Sequence, residues 1–150
     1  MKKKISLDEL QKSEKKRKVK KITLIATIAI VLSLFAIGSY SVVHVMNTAQ
    51  DRSTVTIKKK QSIIFFYRDD CPDCRKIFSQ VLAGKDGGLP IQFVNTNNQT
   101  NKKRYLKKYN VKYVPTFIYL DNQGNEIDRY TGTDRTKIDN ILKRIGGLSN

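Results

Sequence analysis

Residues 22–50 contain no Asp, Glu, Lys or Arg. The stretch ITLIATIAIVLSLFAIGSYSVVHV (22–45) is long enough for a bilayer, whose hydrocarbon core takes about 20 helical residues. Its Thr and Ser hydroxyls can bond to carbonyls one turn earlier, so they do not interrupt a membrane helix. Tyr40 falls where an interfacial ring would sit, with His44 beyond the hydrocarbon. The pattern predicts one spanning helix over 22–45.

Beyond it the pattern changes to short alternating or apolar runs. The polar residues 46–54 read as a stalk, and STVTI (53–57) alternates like a short first strand. SIIFFY (62–67) is continuously apolar and rich in β-formers, as expected of a strand buried on both faces. Ile77, Phe78, Val81 and Leu82 follow at helical spacing, with Gly84, Gly87 and Gly88 to end the helix. IQFVNT (91–96) predicts the next strand. NKKRYLKKYN (101–110) predicts a basic helix with Tyr105, Leu106 and Tyr109 on one side.

VPTFIYLDNQGNEIDRYTG then reads as strand, turn at 122–125 and strand, an antiparallel hairpin. A closing helix spans 134–147, with Asp134 as cap, Ile138, Ile141, Leu142 and Ile145 facing inward and Gly146 as stop. The predicted order is β-β-α-β-α-β-β-α, an α/β domain over 55–150. Its parallel strands need crossovers, which the helices supply.

Charge orients the anchor. Residues 1–21 hold ten Lys/Arg against three acids, and the remaining 19 basic and 10 acidic residues lie in 51–150. Basic residues abutting a span stay in the cytoplasm. The expected organisation is therefore a cytoplasmic arm (1–21), an anchor (22–45), an outer stalk (46–54) and an extracytoplasmic domain (55–150). Ser6 and Glu9 fit a capping box for a short cytoplasmic helix. The arm also suits contact with anionic membrane lipids. A cleaved signal peptide is the competing reading. Its basic region would be unusually long, and Ala36-Ile37-Gly38 is only a weak cleavage site. The Lys-rich 101–109 segment reads as a solvated helix face, and nucleic acid is not an expected partner.

Both cysteines lie in FFYRDDCPDCRKIF (65–78). Cys71 is placed at the start of a helix, where unpaired N–H groups and the dipole favour a thiolate. Cys74 is one turn on, on the same face. Pro72 fits the first turn, where its missing N–H costs nothing. A structural zinc site usually takes four ligands, and the chain offers one histidine and no second cysteine pair, so no metal is expected. A disulfide closing so short a loop adds little stability. Redox exchange is the better use of this spacing.

Strand–CPDC–helix followed by YVPTFIYLDNQGNEIDRYTG resembles the thioredoxin family, over about residues 55–147. Val-Pro-Thr starts a strand with Pro115 44 residues after Cys71. The chain looks most like small membrane-anchored thioredoxin-like proteins of Gram-positive bacteria, including bacteriocin transport accessory proteins. The resemblance implies a thioredoxin fold, a central mixed sheet flanked by helices, here preceded by a single transmembrane helix. It also implies a thiol–disulfide oxidoreductase that needs no cofactor beyond a Cys71–Cys74 disulfide. Cys71 would be the exposed nucleophile and Cys74 the buried resolving thiol. Pro115 would be a cis-proline facing them, and the Val114 backbone would pair with an extended substrate. From local sequence alone Pro115 reads as an ordinary trans proline starting a strand. Gly124 and Gly132 match the family's hairpin glycine and the glycine after the last strand, and are equally readable as turn glycines.

The implied partners are extracytoplasmic cysteine-containing proteins and a redox partner protein. A different class of function, a non-catalytic accessory module of a transport, secretion or conjugation system, uses the same fold without the chemistry. Several residues depart from the family pattern. Asp70 replaces the usual aromatic before the first cysteine, and Pro72-Asp73 replaces Gly-Pro. Phe65 replaces a buried acid six residues before Cys71, leaving water or Asp73 as proton acceptor for Cys74. Asp69, Asp70 and Asp73 crowd the pair, opposed by Arg68, Arg75 and Lys76. Like charge disfavours a thiolate on Cys71, so Asp70 and Asp73 are candidates for tuning it toward reductase or isomerase behaviour. The plainer reading is that the acids are solvated and cap the helix.

Overall fold

The computed structural model describes residues 7–146. The chain divides between His44 and Val45 into two compact units. The Ser6–Glu9 capping box lies outside the described residues.

The described part of the first unit lies within helix α1 (Leu7–Gln50), whose last residues belong to the second unit. Glu14–Gln50 is long and apolar enough to cross a membrane and is a candidate span. Its hydroxyls bond back as the sequence implied: Thr23 to the Val19 carbonyl at 2.9 Å, Ser33 to Ala29 at 2.8 Å and Ser39 to Phe35 at 2.8 Å. The polar groups of these side chains are thus satisfied within the helix.

The second unit is a four-stranded mixed sheet. Its strands are β1 (Ser62–Tyr67), β2 (Ile91–Asn95), β3 (Thr116–Leu120) and β4 (Glu126–Thr131), ordered β2-β1-β3-β4. β1 runs parallel to β2, with Phe65 opposite Phe93, and antiparallel to β3, with Phe65 opposite Phe117. β3 and β4 form the expected hairpin. The continuous apolar run of β1 is explained by its central place, since alternate side chains enter two cores. Ile63, Phe65 and Tyr67 pack with α2 (Pro72–Asp86) and α4 (Arg135–Gly146) on one face. Ile64 and Phe66 pack with Tyr105 of α3 (Gln99–Tyr105) and with Val111 on the other.

Three sequence expectations need correction. Residues 53–57 form no strand. Their backbone groups pair with side chains instead: the Val55 N–H donates to Asn101 Oδ1 at 2.9 Å, and Tyr105 donates its hydroxyl to the Val55 carbonyl at 2.8 Å. The Lys58 N–H donates to Gln92 Oε1 at 2.6 Å. The segment therefore crosses the second core as a strap, with Val55 and Ile57 packed down.

The expected stalk is not free either. α1 continues to Gln50, Val45 and Ala49 pack against the first core, and the Tyr67 hydroxyl donates to the carbonyls of Thr48 and Asp51 at 3.3 and 3.4 Å. The third correction is to the helix expected over 101–110. It starts at Gln99, capped by Asn98, and ends at Tyr105, after which the chain turns to Asn110 with φ 47°. Asparagine tolerates that left-handed conformation better than most residues.

Candidate functional site

β1 delivers the chain to a tight turn at Arg68, Asp69 and Asp70, and α2 starts at Pro72. Cys71 is the N-cap of that helix, in extended backbone at φ −87° and ψ 118°. Its carbonyl accepts the Arg75 N–H at 3.1 Å, and its sulfur accepts the Cys74 N–H at 3.3 Å. The first turn of a helix leaves N–H groups without intrahelical partners, and the Cys71 sulfur takes one of them. A thiolate accepts the same bond.

On its other side the Cys71 thiol lies 3.8 Å from the Val114 carbonyl, within reach of a weak S–H donation. The Val114–Pro115 peptide bond is cis. The structure therefore brings together Cys71, Cys74, Val114 and Pro115, with Cys71 and Val114 43 residues apart in sequence.

Cys74 is 1% exposed, while Cys71 is half-buried, and both thiols are free. Burial pushes the Cys74 thiol up to about 12, because an anion there loses its hydration. The hydrogen bond with Cys71 adds to the rise, and the Arg68 backbone opposes it. Burial likewise raises the Tyr67 phenol, helped by the charges of Asp51 and Asp69. The position expected to lack its acid is filled by an aromatic cluster. Phe65 stacks on Phe117 and Tyr67, with ring centroids 4.9 and 5.2 Å away, and meets Phe93 edge-on.

The acidic residues are arranged differently from a bare negative cluster, since each has its own cation. Arg52 Nε donates to Asp69 Oδ2 at 2.8 Å. Arg68 grips Asp70 with two bonds of 2.8 and 2.6 Å, and this holds the Asp70 carboxyl below its usual range. Lys76 pairs with Asp73 at 2.7 Å. Asp73 is exposed and turned toward Lys76. Of the cations expected to oppose these acids, Arg68 and Lys76 are the ones paired with Asp70 and Asp73.

Sequence reasoning missed Arg52 and the asparagines of 95–101. Asn97 Oδ1 accepts the Asp69 N–H at 3.2 Å, and Asn95 Oδ1 accepts the Asn97 N–H at 3.0 Å. The run NTNNQTN was the available signal, because asparagine side chains commonly bond nearby backbone in turns. Among the described residues, no group of three or more His, Cys, Asp or Glu could hold a metal ion.

Residues 48–145 match the family described as the thioredoxin-like domain. The chain belongs to that family. Its matched segment begins at Thr48, inside the docked end of α1. A segment of 90 residues is 36% identical to the thiol:disulfide interchange protein DsbD of Cronobacter sakazakii, covering 55% of this chain and 16% of that protein. The DsbD of Photorhabdus laumondii is 33% identical over 95 residues, covering 57% of this chain and again 16% of the relative. The chain thus spans about a sixth of the length of the curated relatives it matches.

Among solved structures, oxidised thioredoxin O2 from Arabidopsis thaliana aligns with a TM-score of 0.50 at 18% identity, covering 68% of this chain and 84% of that one. This likeness concerns the fold. Fasciola hepatica thioredoxin aligns at 28% identity with a TM-score of 0.49, over 59% of this chain and 83% of its own. The second unit is therefore a thioredoxin-like domain, similar in sequence to a part of the interchange protein.

Proposed function

We propose that this protein is a membrane-anchored thiol–disulfide oxidoreductase that works through Cys71 and Cys74 on extracytoplasmic proteins. The observation that carries the reading is the Cys71 sulfur, half-buried at the start of α2 and facing Val114 and the cis-proline Pro115. Cys71 as thiolate attacks one sulfur of a substrate disulfide. That S–S bond breaks, a Cys71–substrate mixed disulfide forms, and the released substrate sulfur takes a proton. Cys74 then gives up its proton and attacks Cys71, releasing the second substrate thiol and leaving a Cys71–Cys74 disulfide. Two electrons have passed from the protein to the substrate, and the reverse sequence oxidises a dithiol. A redox partner protein resets the pair, and the reaction uses no further cofactor.

The Val114 backbone and Pro115 hold the extended substrate segment beside Cys71. The candidate span holds the domain at the membrane, with the basic arm of residues 1–21 in the cytoplasm and in contact with anionic lipid.

Trapping tests the reading. Cys74→Ala removes the resolving thiol, so mixed disulfides through Cys71 should accumulate and be captured with their partners, and Cys71→Ser should abolish them. If reduced protein exchanges with no disulfide substrate, and Cys71→Ser cells keep the phenotype of the unaltered strain, the domain is an accessory module and the oxidoreductase reading fails.

A further inference from the structure

The acids around Cys71 are charge-balanced, but the opposite rim of the site is not. A groove of about 310 Å³ opens beside Val114, lined among others by Arg68, Asn97, Lys102, Lys112 and Tyr113. None of its lining residues is a carboxylate. Arg68 is already engaged by Asp70. Lys102 and Lys112 are exposed, and among the described residues neither is within ion-pair distance of an acid. They belong to a stretch, residues 99–113, with six basic residues and no acid. Tyr113, 74% exposed, supplies a flat ring at the rim.

We propose that this groove takes an extended acidic segment of the substrate protein, its carboxylates on Lys102 and Lys112 and its disulfide sulfur at Cys71. The inference rests on the exchange reading above and adds the substrate class to it. The positive sign follows from the two unpaired lysines, since complementary charge attracts an anionic partner and fixes its register. The choice of a protein segment follows from adjacency. Val114 lines the groove, and its carbonyl is 3.8 Å from the Cys71 sulfur, so an occupant that carries a disulfide can reach the thiol. A wall polymer or a lipid head group brings charge without a disulfide.

The test uses the full chain in detergent micelles, fully reduced, in single turnover. The probes are three synthetic peptides of equal length with one internal disulfide and acidic, neutral or basic flanks. At low salt the acidic peptide should be reduced roughly tenfold faster than the neutral one and the basic one slower still. The gap should shrink as salt is raised to about 0.5 M. K102Q/K112Q should bring the acidic-to-neutral ratio close to one, while K137Q/K143Q, the same charge change on α4, should leave it high.

A ratio of one in the unaltered protein overturns the proposal. So does an equal fall in K137Q/K143Q, which would assign the preference to overall charge. Lysine-dependent inhibition by poly(glycerol phosphate) with the peptide ratio at one would make the groove a polyanion site, and also overturns it. Failure to reduce even the neutral peptide would instead sink the exchange reading itself.

Discussion

The backbone N–H of Cys74 donates to the Cys71 sulfur at 3.3 Å, so one cysteine caps the helical turn that buries the other. Burial, more than this bond, sets the two thiols apart. Cys71 remains half-buried at the end of the helix, while Cys74 is 1% exposed under it. A neutral-pH alkylating reagent added to the reduced chain should therefore modify Cys71 and leave Cys74 free until denaturant is added. Mass mapping of the labelled peptide reads the result. Equal labelling of both thiols in the native protein would remove the asymmetry on which their separate roles depend.

The raised Cys74 thiol also makes stability depend on pH. Its ordinary value is 9.0 and burial pushes it up to about 12. Below the lower value both folded and unfolded chains hold the proton, and the slope from this group is zero. Between the two values the unfolded chain releases it and the folded chain keeps it, so stability falls as pH rises. Each unit of difference corresponds to about 1.4 kcal/mol, so the total loss is a few kcal/mol at most. Denaturant unfolding of the reduced chain should show this decline above about pH 9, and Cys74→Ala should lack it. Tyr67, also raised, is present in both proteins, and the variant removes only the smallest contribution to its rise, the charge of Cys74.

Arg68 and Asp70 form the ion pair nearest in sequence to Cys71, and both side chains are about half exposed. Arg68→Gln leaves the Asp70 carboxylate uncompensated beside the thiol. Alkylation of Cys71 should slow by roughly two- to fivefold at low salt and less at high salt. R68Q/D70N should restore the rate, because it removes the stray charge as well as the cation. The second-order rate constant against salt checks this. A double variant as slow as the single one would mean that Arg68 acts through shape.

The features legible in the sequence were those set by local chemistry. The unbroken apolar run of β1 required two buried faces, and Ile63 through Phe66 are fully buried. The spacing of Ile138, Leu142 and Ile145 required one buried helix face, and Asp134 Oδ1 accepts the Thr136 and Lys137 N–H groups as a cap should. The position of Cys71 at a helix start could likewise be read from CPDC. The partners that come from far along the chain could not. Arg52 reaches Asp69 across 17 residues, and Asn101 reaches Val55 across 46. A β-like alternation at 53–57 gave no hint that side chains, and not a neighbouring strand, would take its hydrogen bonds.

Gly124, at φ +82° in the hairpin turn, has backbone that L side chains rarely adopt. An added Cβ would also stand 2.6 Å from the Lys59 Cβ and 2.9 Å from its Cα. Gly124→Ala should therefore cost about 1–3 kcal/mol. Gly88, at φ +94° with nothing within 4 Å of an added Cβ, supplies the comparison. Gly88→Ala carries only the backbone term, of about 1 kcal/mol. Thermal unfolding of the two variants should place Gly124→Ala lower, and the reverse order would mean that the strap at Lys59 yields without cost.

Asn101 is fully buried and ties the strap to the sheet. Its Oδ1 accepts the Val55 N–H at 2.9 Å, and its Nδ2 donates to the carbonyls of Ser53 and Asn95 at 2.9 and 3.1 Å. Asn101→Ala leaves one backbone donor and two acceptors without these partners, and each such group costs about 1–3 kcal/mol if it stays dry. Water reaching the partly buried strap lowers that total, so a loss of about 2–4 kcal/mol is expected in denaturant unfolding. The Val55 amide should lose most of its hydrogen-exchange protection. The first core, which holds Cys74, is built from other residues, so the rate of Cys71 alkylation should stay within about twofold of the parent. Unchanged protection at Val55 would show that Val55 and Ile57, through their packing on the second core, hold the strap without the asparagine.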